Sequence, residues 1–125
     1  MESDFKKFVE QKRSQYKTIG KVFCPLLNEE IVFNAKGFYH LRYNGFGKER
    51  SKEQQIFRME SLDYSIVTIR QAQKVSAHRI YRKGARKVEY WRFDRSISKK
   101  WIAVVILRKI GAGGISFYSA WKERK

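Results

Sequence analysis

Apolar positions along the chain follow two rhythms, and the change between them falls just after Gln73. Upstream the spacing is helical. In "SDFKKFVEQKRSQYKTIG", Phe5, Phe8 and Val9 recur at intervals of three and four behind a Ser3 or Asp4 cap, and Gly20 stops the pattern, which predicts a helix. "KVFCPLLNEEIVFN" has two short β-rich runs, Lys21 to Phe23 and Ile31 to Phe33, around a turn with Pro25 and Asn28, the pattern of a small hairpin. Asn34 can cap a short helix from Ala35 to about Tyr43, which the glycines at 45 and 47 end. "SKEQQIFRMESLDYSIVTIRQAQ" continues helically, with Ser51 and Ser61 as candidate caps and Ile56, Met59, Leu62, Ile66 and Ile69 near a 3.6-residue period, as one bent helix or two.

Downstream, "VSAHRIY", "KVEYWRF", "WIAVVILRK" and "GISFYSAW" are rich in Val, Ile, Tyr, Phe and Trp, and "RKGAR", "DRSISKK" and "GAGG" separate them. Short turns at those places predict an antiparallel meander of four strands. The third segment is almost continuously apolar, so it belongs in the centre. The last should alternate, with Ile115, Phe117, Ser119 and Trp121 on one face and Ser116, Tyr118 and Ala120 on the other. The expected architecture is α+β: N-terminal helices with a small hairpin, then a four-stranded antiparallel sheet. At 125 residues, this fits one basic domain, mainly helical over 1–73 and sheet over 74–122.

Charge narrows the partner. The chain holds 28 Lys and Arg against 12 Asp and Glu, a net charge of +16, while 42% of its residues are hydrophobic and 15% aromatic, too apolar for a disordered basic tail. Residues 1–63 hold 12 cations and 9 acids; residues 64–125 hold 16 and 3. The predicted sheet therefore carries the field, and it calls for a polyanion, either nucleic acid or an anionic membrane surface. Cations interleaved with aromatics in "HRIYRKGARK", "DRSISKK" and "LRK" suit RNA better than duplex DNA. No basic amphipathic helix with a clean apolar face argues for a membrane.

Cys24 is the single cysteine, which excludes an intramolecular disulfide, and with only His40 and His78 beside it no zinc cluster of familiar spacing can be drawn. No metal and no cofactor is expected. The start of the chain is too charged for a signal peptide, and no run approaches the roughly 20 apolar residues of a membrane span, so a cytoplasmic protein is expected.

Two histidines are the candidates for proton chemistry near neutral pH. Lys36 and His40 lie four apart, on one face of the short predicted helix, with Arg42 and Tyr43 flanking them. His78 falls mid-strand near Arg79 and Arg82, where it is either the second member of an acid/base pair or an ordinary edge-strand residue. On the last strand Ser119 can bond a phosphate, and Tyr118 or Trp121 can stack a base. "GAGGIS" lacks the lysine of a phosphate loop. Nucleophile motifs, paired carboxylates and calcium loops are missing from the sequence.

The order of parts, a helical half with "FNAKGFYHL" followed by a sheet ending "FYSAW", resembles the small nucleases that group barnase, EndoU, the colicin-type tRNases and RelE, including their phage and mobile-element branches. The resemblance spans most of residues 20–121, on short motifs. It implies a metal-independent endoribonuclease acting on tRNA or mRNA, often a toxin paired with an acidic inhibitor protein. The helix-borne histidine would be His40, the strand-borne basic residues would come from His78, Arg79, Lys99 and Arg108, and the final hydroxyl would be Ser119. Barnase's glutamate base has no obvious counterpart, since Glu89 is the only acid between Tyr64 and Phe93. Histidine chemistry would replace it. One of His40 and His78 would take the 2′-hydroxyl proton, Arg42 or Lys99 would stabilise the phosphoryl charge, and the other histidine or Tyr118 would protonate the leaving oxygen. Lys36, Arg79, Arg82, Lys99, Arg108 and Trp121 would bind the nucleic acid. The alternatives are a non-catalytic RNA- or DNA-binding module with a basic sheet, and a membrane-surface or ribosome-associated structural protein.

Overall fold

A computed structural model describes residues 3–125. Helix α1 (Asp4–Ile19) begins where Ser3 Oγ accepts from the Lys6 amide at 3.1 Å, and it ends at Gly20, whose φ of +66° a side chain would resist. Strands β1 (Lys21–Cys24) and β2 (Glu29–Val32) form the expected hairpin. Asn34 caps α2 (Ala35–Arg42) by accepting from the Gly37 amide. Two helices follow, α3 (Lys52–Glu60) and α4 (Leu62–Gln71), not one. Ser61 makes the break, its amide and hydroxyl both donating to the Arg58 carbonyl in place of a continuing helical ladder.

The sheet corrects the expectation of four strands. It has six, in the order β1-β2-β6-β5-β4-β3, where β3 is Ala77–Lys83, β4 Arg86–Ser96, β5 Trp101–Ile110 and β6 Ile115–Arg124. β3 to β6 are the antiparallel meander read from the sequence. The hairpin joins it through a parallel pairing of β2 with β6 at Val32 and Ser116, which makes the sheet mixed. Beyond that bridge the chain leaves the sheet at Asn34, and α2 runs alongside β6 instead.

The last strand does not alternate strictly. Leu107 faces Phe117 and Ile106 faces Ser119, so Tyr118 is an extra residue in a β-bulge. The bulge resets the faces. Ile115, Phe117 and Ala120 now share one side, while Ser116, Ser119 and Trp121 share the other with Arg108, Ile106 and Val104 of β5.

The helices cover the first of these sides. Phe93, Val105, Leu107, Phe117 and Ala120 pack there with Met59, Leu62 and Ile69, all at or near zero exposure, and each large side chain so buried stabilises the fold by about 1.5–3 kcal/mol. Tyr16 pins α1 to the start of α2, its hydroxyl donating to the Asn34 carbonyl at 2.5 Å; burial pushes this phenol's pKa up. Gly37 is where α2 meets the sheet. A Cβ there would collide with the Tyr16 hydroxyl and come within 2.7 Å of the Phe117 carbonyl oxygen. Only glycine lets the helix lie this close to β6. Among the described residues, no helix is long and apolar enough to cross a membrane.

Candidate active site

At the edge where α2 replaces β2 beside the sheet, His40 leaves α2 and its ring lies 4.1 Å, centroid to centroid, from the ring of bulge residue Tyr118. An extra residue at this point aims Tyr118 toward the helix. Tyr118 in turn meets Tyr90 of β4 edge-on at 5.3 Å, and Tyr90 meets Tyr81 of β3 at 6.0 Å. The result is an aromatic row across the uncovered face, from the exposed edge strand to His40. Arg108 lies over the Tyr118 ring at 4.5 Å, and strand register sets Arg79, Tyr90, Arg108 and Ser116 side by side on this face.

Two further arginines complete the cluster. Arg50 donates from Nε to the His40 carbonyl at 3.2 Å. Its loop is held by fully buried Gln55, which donates to the Glu49 carboxylate and the Arg50 carbonyl and accepts from Arg42. Arg58 of α3 reaches between sheet and helix, where Nη1 donates to Ser119 Oγ at 3.1 Å and the guanidinium lies 5.0 Å over Trp121. The Nε atoms of Arg58 and Arg108 are buried without hydrogen-bond partners. Among the described residues, no ion pair reaches Arg50, Arg58 or Arg108. This is uncompensated positive charge around one imidazole, and it favours an anion.

The electrostatics follow from that geometry. Burial, then Arg108, Arg50 and Lys36, push the His40 pKa below the ordinary histidine value, so the ring is neutral at pH 7 and can accept a proton. Burial, then the neighbouring Arg50, pull Arg58 down to about 10. Burial raises the Tyr118 pKa and its contact with Tyr90 adds to this, while Arg108 and Arg50 oppose it, so the phenol keeps its proton.

Not every residue singled out from the sequence comes to this cluster. His78 pairs in register with Trp91, which pairs with Leu107, so it lies on the helix-covered side of the sheet, at the β3 edge. There its ring stacks on Trp91 at 5.3 Å and its Nε2 is 2.9 Å from Glu89 Oε2. Arg82 shares that side, since register alternates along β3. Arg42 follows His40 by two residues, which turns it about 200° around α2, onto Gln55 and the Tyr43 ring. Lys99 lies in the turn before β5, some 30 Å of strand from Arg108 at about 3.3 Å per residue. Ser119 is at the cluster but only 3% exposed, and Arg58 occupies it; its part is to hold Arg58. Trp121 is half-buried, with Arg58 and Arg92 both close over its ring.

Arg50, Arg58 and Tyr90 belong to the cluster without having been singled out. Arg58 did leave a signal in the sequence: it falls beside Gln55, Met59 and Leu62 on the buried stripe, where a charge is out of place unless used. No group of three or more His, Cys, Asp or Glu among the described residues is arranged to hold a metal ion. No protein-family model matches the chain, nor does any curated protein or solved structure.

Proposed function

We propose that this protein is an endoribonuclease related in mechanism to the barnase, EndoU, colicin and RelE group, working with one histidine and no metal. The observation that supports this best is the His40 ring set against Tyr118, inside a group of arginines that no ion pair balances among the described residues. RNA carries its own nucleophile, so the protein need supply only a base, an acid and charge stabilisation. His40 takes the proton of the 2′-hydroxyl, and the 2′ oxygen attacks the adjacent phosphorus. The bond from phosphorus to the 5′ oxygen breaks, Tyr118 protonates that oxygen, and a 2′,3′-cyclic phosphate remains. Arg50 and Arg108 face the phosphoryl oxygens, with Arg58 behind them. Each acid or base step is worth about 10²–10⁴-fold, and preorganised cations add the stabilisation of the charged transition state.

The aromatic row of Tyr81, Tyr90 and Tyr118, with Arg79 and Arg108 alongside, serves as a track for single-stranded RNA, whose bases stack on aromatic faces. The substrate is tRNA or mRNA in the cytoplasm, and an acidic inhibitor protein is the expected protein partner. A second reading, a non-catalytic RNA-binding module, is favoured by the same track taken without His40. The two part on turnover. Purified protein with a labelled single-stranded RNA in EDTA should yield fragments ending in cyclic phosphate. Salt-sensitive binding with the RNA left intact would decide for the binding module.

A further inference from the structure

We propose that the hollow beside the His40 cluster is a second phosphate subsite, which holds the nucleotide next to the scissile one; this rests on the nuclease reading for the position of the scissile phosphate. The hollow has a volume of about 460 Å³ and opens between the start of α2 and the glycine turn, residues 113–114, that joins β5 to β6. Pockets for nucleotide-sized ligands span about 300–1,000 Å³. Asn34, Lys36, Arg108 and Ser116 form its polar wall, Val32 and Ile110 an apolar one, and among the described residues no carboxylate lines it. A bare anion would leave much of that space empty. A phosphate against Lys36 and Arg108, with its sugar on the apolar wall, fills both kinds of surface.

Arg108 connects this hollow to the cluster, because it lines the hollow and its guanidinium lies 4.5 Å over the Tyr118 ring. Lys36 and His40 are four residues apart on α2, a separation of about one 5.4 Å turn, which is on the scale between neighbouring phosphates of an extended strand. Ser116 Oγ donates to the Arg108 carbonyl at 3.4 Å, a long bond that a phosphate oxygen can replace. Lys36 is exposed and makes no ion pair among the described residues. One strand can therefore lay one phosphate at His40 and the next at Lys36.

The test is calorimetric titration with dinucleotides that carry 2′-deoxyribose at the scissile position and so cannot be cleaved. They are compared without a terminal phosphate, with a 5′-phosphate and with a 3′-phosphate. A phosphate at one end should tighten binding about tenfold, as expected for charge-assisted hydrogen bonds. The gain should vanish in Lys36→Ala, survive in Arg82→Ala on the opposite side of the sheet, and cost about one unit of salt slope when lost. No gain at either end, or a gain that survives Lys36→Ala, overturns the subsite. A Lys36-dependent gain in a protein that cleaves no RNA keeps the subsite and ends the nuclease reading. Cleavage without the gain does the reverse.

Discussion

Each histidine of this chain lies against an aromatic ring, and beyond that the two surroundings are opposite. His40 meets Tyr118 at 4.1 Å with Arg50, Arg108 and Lys36 near it, and these cations together with burial disfavour its protonated form. His78 stacks on Trp91 and bonds Glu89, whose other oxygen is 3.3 Å from Lys87. At His78 a carboxylate is at hand and a ring nitrogen is occupied; the His78 bond, with Lys87 adding to it, holds the Glu89 carboxyl below the usual carboxylate range. At His40 the surrounding arginines have no ion-pair partner among the described residues. The two surroundings thus differ in what each leaves unbalanced, more than in the number of neighbours.

The largest effect should come from removing each histidine in turn. His40→Ala should lower RNA cleavage by about 10²–10⁴-fold while His78→Ala stays within about twofold, with initial rates as the measurement and melting curves confirming that both variants fold. Equal losses would mean that the two surroundings do not differ in function. Next comes Arg58→Met, which removes a charge whose Nε is buried without a partner. It should slow cleavage by about a hundredfold, as loss of one stabilising group does, yet leave the melting temperature unchanged or higher, because a well-packed apolar side chain often replaces a buried charge at no loss. Unchanged cleavage with a lower melting temperature would make Arg58 purely structural. Smaller again is Gly37→Ala, which forces α2 off β6 and should cost about 1–3 kcal/mol in urea unfolding. Cleavage should fall with it, since His40 rides on that helix.

Local features were legible in the sequence because local physics decides them. Ser3 and Asn34 cap where their side chains can reach an amide three residues on, and Gly20 stops α1 because its backbone is left-handed. The meander followed from its short turns. What was not legible depends on contacts between distant segments. The Val32–Ser116 bridge brings opposite ends of the chain together, and no spacing announces it. The bulge at Tyr118 breaks the alternation that "ISFYSAW" suggests, and register alone decides that His78 and Arg82 face away from Arg79. His40, Tyr118 and Arg108 could be singled out by residue type. Their convergence needed the sheet edge at which β2 ends and α2 begins.

The proposed chemistry requires that His40 stand neutral in a field of cations, ready to take a proton. Its ring protons can be followed by NMR as pH is varied, in the wild type and in Arg108→Gln. The midpoint should lie below the ordinary value of about 6.5 and rise toward it when Arg108 loses its charge. The same shift carries a stability term. Above about pH 6.5 the ring is neutral in both the folded and the unfolded chain; as pH falls through 6.5 toward the folded midpoint, only the unfolded chain takes up the proton, so this contribution to stability is lost on acidification. The acid limb of the cleavage rate should share the lowered midpoint. A His40 midpoint at or above 6.5, unmoved by Arg108→Gln, would contradict the account.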